Sequence, residues 1–210
     1  MNRILIRNIY LSGTQKDILI KGNKIAAIND ACGLHSDEKV VASMQKSIEN
    51  GGKFKVIDGT GKAIIPGFAN MHTHAAMTIM RGTQEDVNLK HWLKAIWKQE
   101  NKLDEELIYW GTKLACVEMI KTGTTCYNDQ YWMPDTAVKA AAEMGVRSWH
   151  SYVFLDAFNK KKAALQREQC QAMYEASKKW NPITCFEVAV HAPYTVSADN
   201  IKWASNFARE

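Results

Sequence analysis

The stretch Ile64-Ile65-Pro66-Gly67-Phe68-Ala69-Asn70-Met71-His72-Thr73-His74 decides how the rest of this chain is read. It is an apolar run with a Pro-Gly lead-in, and it ends in two histidines one residue apart, with Ala75, Ala76 and Met77 behind them. In a strand, side chains two apart point to the same side. His72 and His74 are therefore expected to project together from the end of a predicted strand over Ala63 to Met71. Two imidazoles so placed can hold one divalent ion at adjacent coordination positions. A bare pair of this kind also arises by chance, as solvated polar residues at a strand end. The apolar residues on both sides favour the metal reading.

Downstream, strand-like runs alternate with longer helical patterns, the mark of βαβ units and a parallel sheet. Further strands are expected at Thr124 to Asn128, Arg147 to Phe154 and Phe186 to His191. Helices are expected over Leu89 to Trp97, Asp104 to Thr122, Asp135 to Met144, Lys162 to Trp180 and Ala198 to Glu210. Asp104 suits an N-cap, with Glu105 and Glu106 in the first turn, while Gly123 and Gly145 fall where helices should stop. Four β/α units amount to half of a (β/α)8 barrel, whose active sites lie at the carboxyl ends of the strands. An open doubly wound sheet is the alternative fold. No GxGxxG or Walker-type loop follows any strand, so nothing points to a nucleotide cofactor.

Upstream, short β-type runs at Ile4 to Ile6, Asp17 to Ile20 and Lys24 to Ile28, with turns at Gly13 and Gly22, predict a small antiparallel sheet. Another strand is expected at Phe54 to Ile57. Residues 31 to 53 are polar, with a possible short helix around Val40 to Ile48. The expected organisation is therefore part of a small β-sandwich over residues 1–62, then an α/β partial barrel over residues 63–210.

Composition sets wide bounds. The 210 residues are 46% hydrophobic and 23% charged, ordinary for a globular protein, and the formal charge of +5 is mild. The short run Lys160-Lys161-Lys162 reads as a solvated loop, so no nucleic-acid partner is expected. No apolar run is long enough to cross a bilayer and no signal-type segment opens the chain, which makes a cytoplasmic, membrane-free protein the expectation. The five cysteines, Cys32, Cys116, Cys126, Cys170 and Cys185, include no CxxC pair and read as reduced structural thiols.

The run from Asp58 to His74 resembles the first-strand signature of the amidohydrolase superfamily. More narrowly it resembles the branch of methylthioadenosine/S-adenosylhomocysteine deaminases, triazine chlorohydrolases and guanine-type deaminases. The stretches Met77-Thr78-Ile79-Met80-Arg81-Gly82, Trp92-Leu93 followed by Glu100, Glu118 to Thr125, and His191-Ala192-Pro193-Tyr194-Thr195 carry the same resemblance. It implies that His72 and His74 bind one Zn²⁺ or Fe²⁺, zinc before iron, and that His191 and Glu100 touch the substrate. Trp92 reads as pocket lining or as core. Glu118 and Asp129 read as structural, and His35, His91 and His150 as non-ligands.

The resemblance also implies ligands that these 210 residues do not contain: a His-x-x-Glu motif on strand five, a histidine on strand six and an aspartate on strand eight. The expectation is a half-barrel, inactive alone, whose open edges and apolar faces favour a homo-oligomer. For the protein it belongs to, the expected activity is hydrolytic deamination of an adenosine-like nucleoside such as methylthioadenosine or S-adenosylhomocysteine. The alternatives are a triazine- or guanine-type hydrolase, and a non-catalytic half-barrel.

Overall fold

The computed structural model describes residues 3–31 and 54–210, so Cys32, His35 and the short helix expected around Val40 to Ile48 lie outside the described residues. The chain divides into two compact units, Met1–Pro66 and Gly67–Glu210.

In the first unit, β1 (Arg3–Leu11), β2 (Thr14–Lys21) and β3 (Lys24–Asp30) form the expected antiparallel meander. The strand β4 (Phe54–Asp58) joins the free edge of β1 in parallel, giving a mixed sheet of order β3-β2-β1-β4. Ile9, Ile18 and Leu19 are its buried apolar residues. The register slips between Ile6 and Ile9, where Asn8 takes φ 57°. The carboxylate of buried Asp17 accepts the Asn8 N–H at 2.9 Å, which satisfies a donor the bulge removes from the ladder.

The second unit runs β5 (Phe68–Thr73), a 3-10 turn (Ala75–Met80), α1 (Leu89–Glu100), α2 (Glu105–Thr122), β6 (Thr124–Asp129), α3 (Pro134–Met144), β7 (Arg147–Phe154), α4 (Lys160–Ser177), β8 (Thr184–Val190) and α5 (Ala198–Phe207). All three strand pairings are parallel, and the order β5-β6-β7-β8 is that of the chain itself. Sequential order is that of a barrel wall; a doubly wound sheet reverses direction at a switch point. The fold is an α/β partial barrel.

The first barrel strand departs from its sequence-based span. It begins at Phe68, because Pro66 has no N–H to give a ladder, and the first bond runs from Phe68 N–H to the Gly123 carbonyl at 2.9 Å. Ala63 instead makes an isolated parallel bridge to Tyr10. Gly67 is required by contact: a Cβ there would stand 2.2 Å from the Thr125 side chain on β6. The strand also continues two residues further than expected, carrying His72 within it and leaving His74 just beyond its end.

Helix limits follow their caps. Asn88, Asp104, Asn159 and Ser197 each accept a first-turn N–H, and Gly123 closes α2 at φ 84°. The helix α4 stops at Ser177 and not at Trp180, and β8 starts at Thr184, because the Asn181 side chain and carbonyl accept the N–H groups of Ile183 and Thr184 and turn the chain. Three apolar clusters fill the unit. One centres on Cys116, Tyr127 and Ala141, one on Ile96, Ile108 and Tyr131, and one on Phe154, Cys170 and Val196.

Candidate active site

The ends of β5 and β6 are stitched together. Thr73 pairs with Asp129, the Gln130 N–H donates to the Thr73 carbonyl at 3.0 Å, and the Asp129 carboxylate accepts the Ala75 N–H at 2.8 Å. This places His74 against the residues that follow β6. Its Nδ1 lies 2.6 Å from the Gln130 carbonyl, which can only accept. The Nδ1 therefore carries the proton and Nε2 keeps its lone pair for a ligand, as a metal-binding imidazole requires. His72 is exposed, with its ring centroid 5.1 Å from that of His74.

The ends of β7 and β8 fix the third histidine. The His191 N–H donates to the Phe154 carbonyl at 3.1 Å, and its Nδ1 lies 2.8 Å from the Thr195 hydroxyl oxygen. That hydroxyl donates to the Ala192 carbonyl at 3.1 Å, so Nδ1 is the donor and Nε2 is left as an acceptor. Burial first, then the neighbouring His74, lowers the His191 pKa against an opposing pull from Glu100, which favours the neutral ring.

Behind this loop stands Asp156, completely buried. Its carboxylate accepts from Phe158 N–H at 2.7 Å, Ser197 N–H at 3.0 Å, Ser197 Oγ at 2.8 Å and Asn200 Nδ2 at 2.8 Å. Burial works against its charge, but the hydrogen bonds from Ser197, Phe158 and Asn200 outweigh it and hold Asp156 below the ordinary carboxylate range. The carboxylate thus ties the end of β7 to the start of α5, across the loop that carries His191.

One cleft of about 100 Å³ is lined by His74, Trp92, Glu100, Gln130, Tyr131 and His191, among others. A larger cavity of about 430 Å³ shares Trp97, Glu100 and Trp132 with it. Together they reach the roughly 300–1,000 Å³ range of small-molecule sites. Gln130 Nε2 is buried with no hydrogen-bond partner among the described residues, and the buried Tyr131 hydroxyl approaches the Glu100 carboxylate without a well-formed hydrogen bond. Burial first, then the nearby Glu100 carboxylate, raises the Tyr131 pKa.

The structure therefore brings His74, Glu100 and His191 to one cleft and sets His72 beside His74. Trp92 does both things its position allowed: it lines the cleft and packs against the cluster around Ile96. Gln130, Tyr131 and Trp132 were not singled out from sequence. Their signal was their place directly after the end of β6, where barrel loops build sites. The other titratable residues are engaged elsewhere. Glu118 makes a two-pronged ion pair with Arg81, 2.8 Å on each arm, and His91 contacts Asn88. His150 is buried beside Ser148 and 3.9 Å from Asp129.

As a metal site the residues fit in part. The paired imidazoles and the fixed tautomer of His74 suit two coordination positions. Among the described residues no group of three or more His, Cys, Asp or Glu side chains could complete a shell.

Comparison with known proteins bears on this geometry. The model of the amidohydrolase family matches residues 63–210. The chain is 36% identical over 209 residues to a 5'-deoxyadenosine deaminase of Methanocaldococcus jannaschii, covering 99% of this chain and 46% of that protein. It is 45% identical over 156 residues to 5-methylthioadenosine/S-adenosylhomocysteine deaminase 1 of Archaeoglobus fulgidus, covering 74% and 36%. A crystal structure of an adenosine deaminase from Xanthomonas campestris with bound zinc superposes with a TM-score of 0.77 at 23% identity, covering 99% of this chain and 46% of that one. The chain thus spans about half the length of the curated relatives it matches.

Proposed function

Because the chain belongs to the amidohydrolase family, we propose that it carries the nucleoside-gripping half of a metal-dependent deaminase acting on an adenosine-like nucleoside, such as methylthioadenosine or S-adenosylhomocysteine. The overall reaction replaces a ring amino group with oxygen from water and releases ammonia. The observation that carries this reading is the convergence of His74, Glu100, His191 and Trp92 on one cleft. The nucleoside deaminases among the relatives support it.

His72 and His74 would hold the metal, with zinc ahead of iron because the adenosine deaminase neighbour was crystallised with bound zinc. When bound, such an ion supplies water acidic enough to lose its proton near neutral pH. The Gln130 carbonyl keeps the His74 ring turned so that Nε2 faces outward. Glu100, as an anion at the cleft wall, accepts hydrogen bonds from ribose hydroxyls. Neutral His191 accepts through Nε2 from a polar group of the base. Trp92, Trp97 and Trp132 supply flat apolar surface and exclude water. A cytoplasmic setting belongs to the same reading, supported by the free thiols of Cys116, Cys126, Cys170 and Cys185. No helix among the described residues is long and apolar enough to cross a membrane.

The test uses the intact polypeptide that carries this sequence, assayed for bound metal and for ammonia or chloride release. The panel is methylthioadenosine, S-adenosylhomocysteine, 5'-deoxyadenosine, guanine and a chlorotriazine. We expect about one metal per chain and turnover of the adenosine-like nucleosides. His74→Ala should lose the metal, and Glu100→Gln should raise KM about 10- to 100-fold while metal stays bound. The 210 residues alone should bind metal weakly and turn nothing over. Preferential turnover of guanine or the triazine would overturn the substrate assignment, and full metal retention by His74→Ala would overturn the ligand assignment.

A further inference from the structure

The helix α2 is apolar on two opposite faces. One face packs inward through Ile108, Thr112, Ala115, Cys116 and Met119, all buried. At about 100° per residue, Leu107, Trp110, Leu114, Val117 and Lys121 fall on a single stripe roughly opposite that face. Leu107, Trp110, Leu114 and Val117 are between 41% and 57% exposed. Both flanks of the helix are taken. On one side Tyr109 and Lys113 bind Glu143 of α3. On the other, Glu118 pairs with Arg81 and the Gly111 carbonyl accepts from Thr78. Further β/α units would extend the barrel wall sideways, along the flanks. The outer stripe points away from any such neighbour.

We propose that this outer face of α2 is a two-fold interface joining the chain to a second copy of itself, with the two helices antiparallel. The spacing 107-110-114-117-121 alternates three and four residues, the pattern by which one helix packs along another. An interface between identical faces must complement itself, and the charges here do so. Glu105 and Glu106 stand in the first turn and Lys121 in the last. With Leu114 near the axis, antiparallel pairing sets Trp110 against Val117 of the second copy and Glu106 against its Lys121. Parallel pairing would oppose like charges and align the helix dipoles. Neither Glu106 nor Lys121 is in an ion pair among the described residues. Trp110, the most exposed of the set at 57%, is the residue type that most often dominates binding energy at such contacts.

Sedimentation equilibrium of the intact polypeptide tests this, with circular dichroism to check folding. The wild type should self-associate with two-fold symmetry. Leu114→Glu should weaken association about 100-fold or more, by placing two carboxylates at the axis. Glu106→Lys and Lys121→Glu should each weaken it about 10-fold, since each reverses one member of two symmetry-related pairs. The double variant Glu106→Lys/Lys121→Glu should return to within a few-fold of wild type, because both pairs re-form with their signs exchanged. These two positions are exposed, so the charge variants remain decisive if Leu114→Glu fails to fold. A monomeric wild type at tens of micromolar would overturn the proposal and leave the face to a segment of the same polypeptide. An oligomer that Leu114→Glu leaves unchanged would place the interface elsewhere. A double variant as weak as the single ones would overturn the antiparallel arrangement.

Discussion

The two sides of the cleft are built on different principles. On the His191 side, buried Asp156 accepts four hydrogen bonds, from Phe158, Ser197 and Asn200, and Asn200 in turn accepts from Arg167. Every link is internal to the fold. On the His74 side, the backbone is stitched just as firmly through Gln130 and Ala75, yet among the described residues Gln130 Nε2 is buried without a partner and the Tyr131 hydroxyl has only the nearby Glu100 carboxylate. A buried donor without a partner costs about 1–3 kcal/mol, so such groups call for an explanation. The difference teaches a division of labour: one side is finished by its own hydrogen bonds, and the other holds polar groups in reserve for what enters the cleft.

The sharpest way to break this comparison is at Asp156. Asp156→Ala would orphan several buried donors at once, and should lower the unfolding free energy of the intact polypeptide by about 3–5 kcal/mol in urea titration. A loss below about 1 kcal/mol would show that the finished side is no more tightly built than the other.

A middle-sized effect concerns Asp129 and His150, which lie between the two sides. Burial pushes Asp129 up to about 7 and His150 down to about 4. Between pH 4 and 6.5 the folded pair then holds one proton, on the aspartate. The unfolded pair, at ordinary values of 3.8 and 6.5, also holds one, on the histidine. Equal proton counts mean that the pair adds no slope to stability in that window. Asp129→Asn should expose the histidine alone, so stability falls as pH drops from about 6.5 towards 4. His150→Gln should expose the aspartate alone, so stability falls as pH rises from about 3.8 towards 7. Each slope should approach about 1.4 kcal/mol per pH unit, and slopes of the same sign would refute the assignment.

The smallest stability effect should come from Tyr131→Phe. Its hydroxyl makes no well-formed hydrogen bond and only approaches the Glu100 carboxylate, so the variant should stay within about 0.5 kcal/mol of wild type, while affinity for the proposed nucleoside weakens severalfold by calorimetry. A stability loss above 1 kcal/mol, or unchanged affinity, would remove the idea of groups held in reserve.

How much of this could be read from the chain depended on range. Helix limits were legible at Asp104 and Gly123, where local caps set them, while the Asn159 cap that starts α4 at Lys160, two residues before the expected Lys162, was not recognised. The side-by-side setting of His72 and His74 followed from strand period. The 3-10 turn at Ala75–Met80 was missed because six residues are too few to show a helical period. The true start of β5 was missed because it is set by Gly123 and Thr125, more than fifty residues away. The cleft walls at Gln130 and Tyr131 had only their place after β6 to mark them, since their roles come from neighbours across the sheet. Glu100 and His191 were marked by resemblance, and the fold sets them at the same cleft.

The order β5-β6-β7-β8 has a consequence for how the protein is made. From β6 onward each strand pairs with the one the ribosome released before it, once the intervening helix has been made. Pairing strands in the order of synthesis lets each new β/α unit dock on the last, while the outer edge of the growing sheet stays open until the next strand arrives. His74 would already sit against Gln130 when β7 emerges, and the His191 loop would lock onto Asp156 as soon as α5 forms. The cleft would therefore be assembled progressively, in the order in which its residues are translated.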